Sequence, residues 1–188
     1  AFVSQGLKVM RRRQNLGLKT LGEVARISES LSPYHLGFIL GPRINAGGRV
    51  GQATMGSCLL TTTDPLQAHT LATQLDQFNQ QRQEIEKMVL EQAIEQIEKQ
   101  NLHQHPVLLV SHQDWHPGVI GIVASRLKER YNRPACVVGF AEDIGKGSGR
   151  SVLGVCLGTA MHVAVHQGLL EKGGGHAMAA GFTIHRKH

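Results

Sequence analysis

The chain has few of the residues that build metal centres. Its aspartates are Asp64, Asp76, Asp114 and Asp143, which lie far apart, so neither an Asp-x-Asp pair nor an Asp-His-His cluster occurs. A centre that cleaves phosphodiesters with two metal ions needs clustered hard ligands that hold the ions ~3.5–4 Å apart. We therefore expect no metal site in this chain, and we expect that it cannot form such a centre by itself.

Cysteine is also scarce. The three cysteines, Cys58, Cys136 and Cys156, are an odd number without the spacing of metal ligands, and each has apolar or small neighbours. Unpaired cysteines of this kind are typical of reducing compartments. We expect three reduced, buried thiols in a cytoplasmic protein.

Long apolar runs do not occur in the sequence. No window approaches the ~18 uninterrupted apolar residues of a membrane span, and residues 1–6 have neither the charged start nor the apolar run of a secretory signal. We therefore expect no membrane partner. The chain also starts without methionine, which leads us to expect a fragment of a longer protein.

The charge is unevenly distributed along the chain, whose net charge is +6. Residues 1–63 carry eight Lys or Arg against two acids, residues 64–104 carry three against seven, and residues 105–188 carry nine against five. Two basic ends thus flank an acidic middle. A polyanionic partner such as a nucleic acid would explain this pattern, because Lys and Arg neutralise phosphates. An ordinary solvated surface is the alternative.

A long helix is predicted from Asp64 to about Gln100. Asp64 suits the N-cap and Pro65 suits the first helical position, and apolar residues then recur at the three-four spacing of one helix face. At a rise of ~1.5 Å per residue the helix would be about 50 Å long. We interpret it as a connector between two units. Residues 1–63 are too short and irregular for a complete domain, and we interpret them as the tail of a larger one.

Residues 104–188 alternate strands and helices in the manner of a compact α/β domain with a mixed sheet. The predicted strands are 107–110, 135–140, 149–152 and 182–184, and the predicted helices are 117–131 and about 158–167.

Glycine and arginine occur together in residues 41–51, which we predict to be a turn region. Arg43 and Arg49 flank Asn45 and several glycines, and no acidic residue lies among them. Arginine's planar fork matches two phosphate oxygens at once, and glycines let phosphates approach the main chain. We interpret the segment as a phosphate clamp. The alternative is a loop whose arginines cap neighbouring carbonyls.

The same combination recurs in residues 145–151. Ser148 supplies a hydroxyl donor, Lys146 and Arg150 supply positive charge, and the glycines between them expose the backbone. The order of residues differs from the Gly-x-x-x-x-Gly-Lys-Ser/Thr of a nucleotide-binding P-loop. The segment is either a second phosphate-binding element or a flexible hairpin turn.

A histidine lies among glycines in residues 173–181. Gly174 and Gly175 immediately precede His176, so a phosphate would contact bare backbone N–H groups beside one titratable side chain. This arrangement is typical of an anion site. The alternative is a tight turn before the closing strand 182–184, in which His176 fills space.

Residues 115–121 join a strand to the start of a helix. Helix N-termini attract anions, which makes His116 a weaker candidate for the site, and Trp115 would stack on a base if it were exposed. The alternative is that Trp115 is an aromatic anchor packed under the turn.

Four segments together resemble the RecJ family of single-strand-specific DNA exonucleases, within the DHH/DHHA1 phosphoesterase superfamily. They are Gly-Pro-Arg-Ile-Asn-Ala-Gly-Gly-Arg at 41–49, the segment 115–127 beginning Trp-His-Pro-Gly, Lys-Gly-Ser-Gly-Arg-Ser at 146–151, and Gly-Gly-His-Ala-Met-Ala-Ala-Gly at 174–181. The resemblance implies that residues 1–63 are the C-terminal part of a DHH domain, 64–103 a connecting helix and 104–188 a DHHA1 domain.

The resemblance also implies an activity and a cofactor. Enzymes of this family degrade single-stranded DNA from its 5′ end in DNA repair and recombination, using Mn²⁺ or Mg²⁺ held by aspartates and histidines of the DHH half. Those metal-binding motifs would lie upstream of Ala1, so we expect this chain alone to be inactive and to bind no metal. Single-stranded DNA is the expected partner, and other repair proteins are not readable from the residues.

Roles for individual residues follow from the same resemblance. Ser148 and Arg150 would hold phosphates, assisted by Arg43 or Arg49 and by the backbone of Gly174 and Gly175. His176 would contact the scissile phosphate and stabilise its charge. Asn45, Lys146 and His116 are weaker candidates.

Two other functions remain open at this point. One is a phosphatase or oligoribonuclease of the same superfamily that acts on very short nucleotides; it would share the Gly-Gly-His motif, but residues 41–49 and 115–127 argue against it. The other is a nucleic-acid-binding module without catalytic activity. An Asp-His-His cluster upstream of Ala1 would exclude the binding module.

Overall fold

The computed structural model describes residues 2–188 and divides the chain into two compact units. Unit 1 ends at Gln83, and unit 2 comprises Glu84–His188. The boundary falls within one long helix, so this helix contributes residues to the cores of both units.

Unit 1 is helical. Its elements are α1 (Phe2–Arg11), α2 (Leu16–Val24), a π-helical segment (His35–Leu40), α3 (Gly41–Val50), α4 (Met55–Thr61) and the first part of α5 (Pro65–Lys99). Asn15 caps α2 by accepting a hydrogen bond from the Leu18 N–H (2.9 Å), and its amide donates to the Leu60 carbonyl (2.9 Å). The buried core consists of Leu21, Leu40, Met55, Leu59, Ala68, Ala72 and Leu75.

The prediction of a turn region at 41–51 is wrong, because Gly41–Val50 form helix α3. Pro42 lies in the first turn, where its missing N–H is not needed. Gly47 lies against its neighbours so closely that a Cβ there would be 2.7 Å from the Gln52 carbonyl oxygen and 3.2 Å from the Leu75 side chain. Tertiary packing of this kind overrides the low helix propensity of glycine.

The predicted long helix is confirmed as α5, which runs for 35 residues from Pro65 to Lys99. The Asp64 carboxylate accepts a hydrogen bond from the Leu66 N–H (3.0 Å), as expected of an N-cap. Ala68, Ala72 and Leu75 are fully buried in unit 1; Val89, Ala93 and Ile97 are fully buried in unit 2.

Unit 2 is an α/β domain built on one five-stranded sheet. Its elements are a short 3-10 helix (Leu102–Gln104), β1 (Leu108–Gln113), α6 (Pro117–Tyr131), β2 (Ala135–Ala141), β3 (Ile144–Arg150), α7 (Leu157–His166), β4 (Lys172–Gly175) and β5 (Ala179–His185). The strand order is β1-β2-β3-β5-β4, with β1 parallel to β2 and the other neighbours antiparallel. The predicted α/β class and mixed sheet are therefore confirmed, and α6 has its predicted bounds.

Helices cover different parts of the two faces of the sheet. On one face, Ala135 and Val137 of β2 pack with α6 and with the second part of α5. On the other face, Cys136 and Val138 pack with Leu157 of α7. The alternation along β2 follows the two-residue repeat of a strand. Helix α6 lies on β2 and β3, and α7 lies against β4 and β5.

The third strand begins five residues earlier than predicted. The predicted strand was 149–152, whereas β3 comprises Ile144–Arg150, so the flexible hairpin turn offered as the alternative for residues 145–151 is wrong. Packing requires glycine at position 147, since a Cβ there would lie 2.2 Å from the ring of Phe182. A larger residue there would separate β3 from the core beneath it.

The prediction of three buried thiols is wrong for two of them. Cys136 is buried, and burial raises the pKa of its thiol to about 11. Cys58 and Cys156 are exposed. Cys156 is the N-cap residue of α7, a position at the protein surface, where hydrogen bonding by Thr159 lowers the pKa of the thiol. All three cysteines are free.

Candidate anion-binding site

Strand β3 presents three polar side chains on one face and three glycines on the other. Ser148 pairs with Val137 of β2, whose side chain lies in the core beneath α6, so Lys146, Ser148 and Arg150 are on the α6 side of the sheet. The intervening Gly145, Gly147 and Gly149 face the core on the α7 side. The sequence pattern of alternating glycine therefore places two cations and a hydroxyl in a row.

The Arg150 guanidinium is held in place by its own strand. Its Nη1 donates to the Ser148 Oγ (3.1 Å) and to the Gly149 carbonyl (2.8 Å), and the side chain is half-buried. Gly121 of α6 lies directly beside this pair, because a Cβ there would be 3.0 Å from Ser148 Oγ and 3.1 Å from Arg150 Nη2. An arginine fixed in this way is suited to phosphate recognition, since less side-chain entropy is lost on binding.

The β4–β5 hairpin continues the same face. Gly181 of β5 is the register partner of both Ser148 and Gly174 of β4, so these three residues form a row across the sheet. No atom of the described residues lies within 4 Å of a Cβ built at Gly174. We call the surface formed by Lys146, Ser148, Arg150, Gly174 and Gly181 the open face.

His176 lies at the end of the sheet that carries Arg150. The His176 N–H donates to the Ala179 carbonyl (2.9 Å), and Ala179 is the register partner of Arg150. The His176 carbonyl accepts from the Gly158 N–H in α7 (3.1 Å), which ties the turn to that helix. With about 4.8 Å between neighbouring strands, the backbones at Arg150 and His176 are roughly 10 Å apart. The side chain of His176 is exposed, so the histidine does not fill space in the turn as the alternative interpretation required.

Gly175 has a packing role as well. A Cβ at this position would lie 2.3 Å from the Ala179 carbonyl oxygen and 2.6 Å from the Ala180 Cα. Glycine is therefore required here by the close approach of β4 to β5, irrespective of any ligand.

Trp115 and His116 both make contacts within the fold at the start of α6. The Trp115 side chain is 3% exposed, its Nε1 donates to Gln92 Oε1 (2.7 Å), and its ring stacks on His112. It is the anchor under the turn, and burial prevents it from stacking on a base. His116 is the N-cap of α6, where its Nδ1 accepts from the Gly118 N–H (3.0 Å).

Lys146 occupies the far end of the open face. Its Nζ donates to Thr183 Oγ1 (3.1 Å), and Thr183 is buried on β5. Thr183, Gly121 and Gly181 also border the open face and were not among the predicted site residues. The two-residue alternation along β5 was a usable signal for Gly181, whereas the approach of Gly121 depends on how α6 packs.

The candidates in unit 1 do not form the predicted loop clamp. Arg43 Nε pairs with Asp76 Oδ1 at 2.7 Å, and Arg43 Nη1 donates to the Ile39 carbonyl (2.9 Å). On helix α3 the six-residue spacing places Arg43 and Arg49 about 120° apart around the axis. Asn45 lies between them on the same helix. Arg43 therefore caps a neighbouring carbonyl, that of Ile39, which is the alternative given for this segment in the sequence analysis.

Within residues 2–188, no group of three or more His, Cys, Asp or Glu side chains is placed to hold a metal ion. None of the helices in the same described range combines the length and apolar character needed to cross a bilayer.

Comparison with known proteins identifies what the chain is similar to. Residues 104–188 match the model of the DHHA1 domain family. The chain is 43% identical over 193 residues to the single-stranded-DNA-specific exonuclease RecJ of Dickeya dadantii, covering 97% of this chain and 33% of that protein. The chain spans no more than about a third of the length of the curated relatives it matches.

Solved structures give the same result. A crystal structure of exonuclease RecJ bound to manganese superposes with a TM-score of 0.81 at 32% identity, covering 97% of this chain and 44% of that one. RecJ from Thermus thermophilus, in complex with Mg²⁺, superposes with a TM-score of 0.79 at 31% identity, covering 97% of this chain and 28% of that one.

Proposed function

Because residues 104–188 belong to the DHHA1 domain family and the whole chain is homologous to one part of the RecJ exonucleases, we propose that this chain is the substrate-binding part of a RecJ-like exonuclease. The parent enzyme would hydrolyse phosphodiester bonds of single-stranded DNA from the 5′ end. The observation that carries the proposal is the Arg150–Ser148 pair, fixed at 3.1 Å on the open face.

The proposal includes a division of the chain. Residues 1–63 would be the C-terminal part of a DHH domain, 64–103 the connecting helix and 104–188 the DHHA1 domain. The match of the DHHA1 model to 104–188 and the continuous helix Pro65–Lys99 support this division.

We assign binding roles to the residues of unit 2. Arg150 and Ser148 would donate hydrogen bonds to phosphate oxygens, and Lys146 would add positive charge at the other end of β3. The backbone of Gly174 and Gly175 would approach a phosphate closely. His176 would contact the scissile phosphate and stabilise the charge that develops there.

In unit 1, Arg49 and Asn45 are the proposed supporting contacts. The Arg43 guanidinium already pairs with Asp76, so we assign it the smaller role. We also assign a smaller role to His116, because its Nδ1 already accepts a hydrogen bond from the Gly118 N–H at the start of α6.

The described residues, 2–188, do not offer the ligands of a catalytic metal. RecJ has been solved with Mn²⁺ and with Mg²⁺, whereas no group of three or more potential ligands occurs in residues 2–188 of this chain. Hydrolysis would therefore require metal ligands from outside these 188 residues, and we expect the chain alone to bind single-stranded DNA without cleaving it.

A titration tests the proposal. The chain is titrated against a fluorescent 5′-phosphorylated single-stranded oligonucleotide at several salt concentrations, and anisotropy reports binding. We expect weak binding that falls steeply with salt, because neutralised phosphates release counterions. Arg150→Ala should weaken binding about tenfold, which corresponds to the loss of one charge-assisted hydrogen bond.

Arg130→Ala is the matched control. Arg130 is exposed near the C-terminal end of α6, away from Gly121, so this variant removes the same charge from another part of the unit. If both variants weaken binding equally, only the net charge matters and the assignment of the open face is wrong. If Arg150→Ala leaves the affinity unchanged, the proposed binding function of unit 2 fails.

A further inference from the structure

Gly181 occupies an unfavourable position for a glycine. It lies within strand β5, between two other strands, where glycine has no side chain to pack and loses more backbone freedom on folding than any other residue. Replacing glycine by a larger residue would therefore stabilise the strand, unless the backbone conformation or the packing at that position requires glycine.

Apart from Gly174, which lies on the same open face in the edge strand β4, the other glycines of this sheet meet a packing demand. A Cβ at Gly145 would lie 2.7 Å from the Val138 side chain, and one at Gly147 would lie 2.2 Å from the Phe182 ring. These residues face the buried core on the α7 side, where a larger side chain has no room.

Gly181 meets neither demand. A Cβ built on it has one neighbour among the described residues, the Gly147 carbonyl oxygen at 3.9 Å, which is an ordinary contact distance. Its φ is outside the left-handed region that favours glycine. The folded chain therefore has room for a side chain at this position, so neither packing nor backbone conformation accounts for the glycine.

The position of this space indicates its occupant. Gly181 lies directly across from Ser148. The next pairs on the same face of the sheet, two residues away in each direction, are Arg150 with Ala179 and Lys146 with Thr183. The glycine is thus at the middle of a strip whose two ends carry cations. Four residues at ~3.3 Å each separate those ends by about 13 Å.

We propose that Gly181 is a specificity-determining residue of the open face: its missing side chain leaves the space in which the sugar–phosphate chain of a single strand lies while a phosphate binds Arg150 and Ser148. This inference rests on the function proposed above. An isolated phosphate needs only the Arg150 end, whereas an extended strand that continues toward Lys146 must pass over Gly181. A side chain here would lift the strand from the sheet and lengthen its contacts to both cations.

Two substitutions test the inference in the full chain. Gly181→Ala and Gly181→Val each place a side chain in the open space, and valine also has a high strand propensity. We expect both variants to unfold thermally at or above the wild-type temperature. Their affinity for a 5′-phosphorylated oligothymidylate should fall, by about tenfold for valine as charge-assisted hydrogen bonds are lost, and by less for alanine.

Gly22→Ala is the matched control, because a Cβ on that glycine of helix α2 also meets no atom of the described residues within 4 Å. It should leave DNA affinity unchanged. Inorganic phosphate is the second probe: as a competitor, it should bind the wild type and Gly181→Val within a factor of about two of each other, since the Arg150–Ser148 pair is intact in both.

The outcomes separate the two proposals. If Arg150→Ala weakens oligonucleotide binding and a folded Gly181→Val does not, this inference is overturned while the proposed function stands. If Gly181→Val fails to fold, the space at Gly181 is needed by the protein itself, and the inference is overturned unless Gly181→Ala folds normally and binds more weakly. If Arg150→Ala leaves oligonucleotide affinity unchanged, the proposed function itself is wrong.

Discussion

Residues 41–50 and residues 144–150 are alike in composition, since each combines several glycines with arginine, yet the first segment forms helix α3 and the second forms strand β3. In α3, Arg43 pairs with Asp76 of its own unit. In β3, Arg150 bonds only to its own strand among the contacts described, and it lies on a face with open space beside it. The same residue types therefore stabilise a fold in one unit and are available to a ligand in the other.

The difference arises from periodicity. Along a strand, side chains alternate between two faces, so every second glycine of β3 faces the core and every intervening polar residue faces away from it. Along a helix, the same spacing distributes residues around the axis. The side to which the glycines and arginines of such a segment point can therefore be inferred only when its secondary structure is known.

The largest expected effect concerns the glycines that β3 packs against the core. Gly147→Ala would place a Cβ 2.2 Å from the Phe182 ring, which is buried, so the ring and its neighbours must move. Overpacking of this kind costs about 1–3 kcal/mol, and we expect a value at the upper end. Urea unfolding of the full chain measures it.

Gly181→Ala, in the neighbouring strand, is the matched control for that measurement. Its Cβ points into open space, so stability should stay equal or increase by about 0.5–1 kcal/mol. Equal destabilisation by the two variants would contradict the distinction between packed and open glycines on the two faces of this sheet.

The second prediction compares the two arginines. Arg43→Ala removes an ion pair whose side chains are 19% and 17% exposed and leaves Asp76 without that partner, so it should destabilise the chain by about 2 kcal/mol. Arg150→Ala should leave stability nearly unchanged and lower DNA affinity instead. Both variants are measured by urea unfolding and by the anisotropy titration.

A double-mutant cycle with Asp76→Ala shows whether the stability loss comes from the pair. The contrast between a stabilising Arg43 and a ligand-binding Arg150 would be wrong if Arg43→Ala left the unfolding free energy unchanged and weakened DNA binding as much as Arg150→Ala. In that case the phosphate-clamp interpretation of residues 41–51 would be correct despite the helix.

Local signals account for the parts of the fold that the sequence predicted. Asp64 followed by Pro65 marks the start of α5, and Pro117 marks the start of α6, whose predicted bounds match the structure. These signals act within one or two turns of the chain, so they can be recognised without knowledge of the tertiary structure. Helix α7 was predicted within one residue of its bounds.

Tertiary contacts account for the parts that the sequence did not predict. Helix α3 forms although Gly47 and Gly48 disfavour it, because Gly47 fits closely against Gln52 and Leu75. The open face depends on the register between β3 and β5, which pairs Ser148 with Gly181 across 33 positions of sequence. The alternation along β5 indicates which face Gly181 lies on, but no local pattern encodes its pairing with Ser148.

The smallest expected effect concerns Gly48, which follows the packed Gly47 in α3. It is exposed, and a Cβ there meets no atom of the described residues within 4 Å, so Gly48→Ala should raise the unfolding free energy by about 0.5–1 kcal/mol through helix propensity alone. Gly47→Ala is the internal control and should destabilise, because its Cβ would lie 2.7 Å from the Gln52 carbonyl oxygen. DNA affinity should not change with Gly48→Ala if α3 only supports the fold. A fall in affinity without loss of stability would instead place the exposed side of α3 next to bound DNA, and unit 1 would then contain an open glycine of the same kind as Gly181.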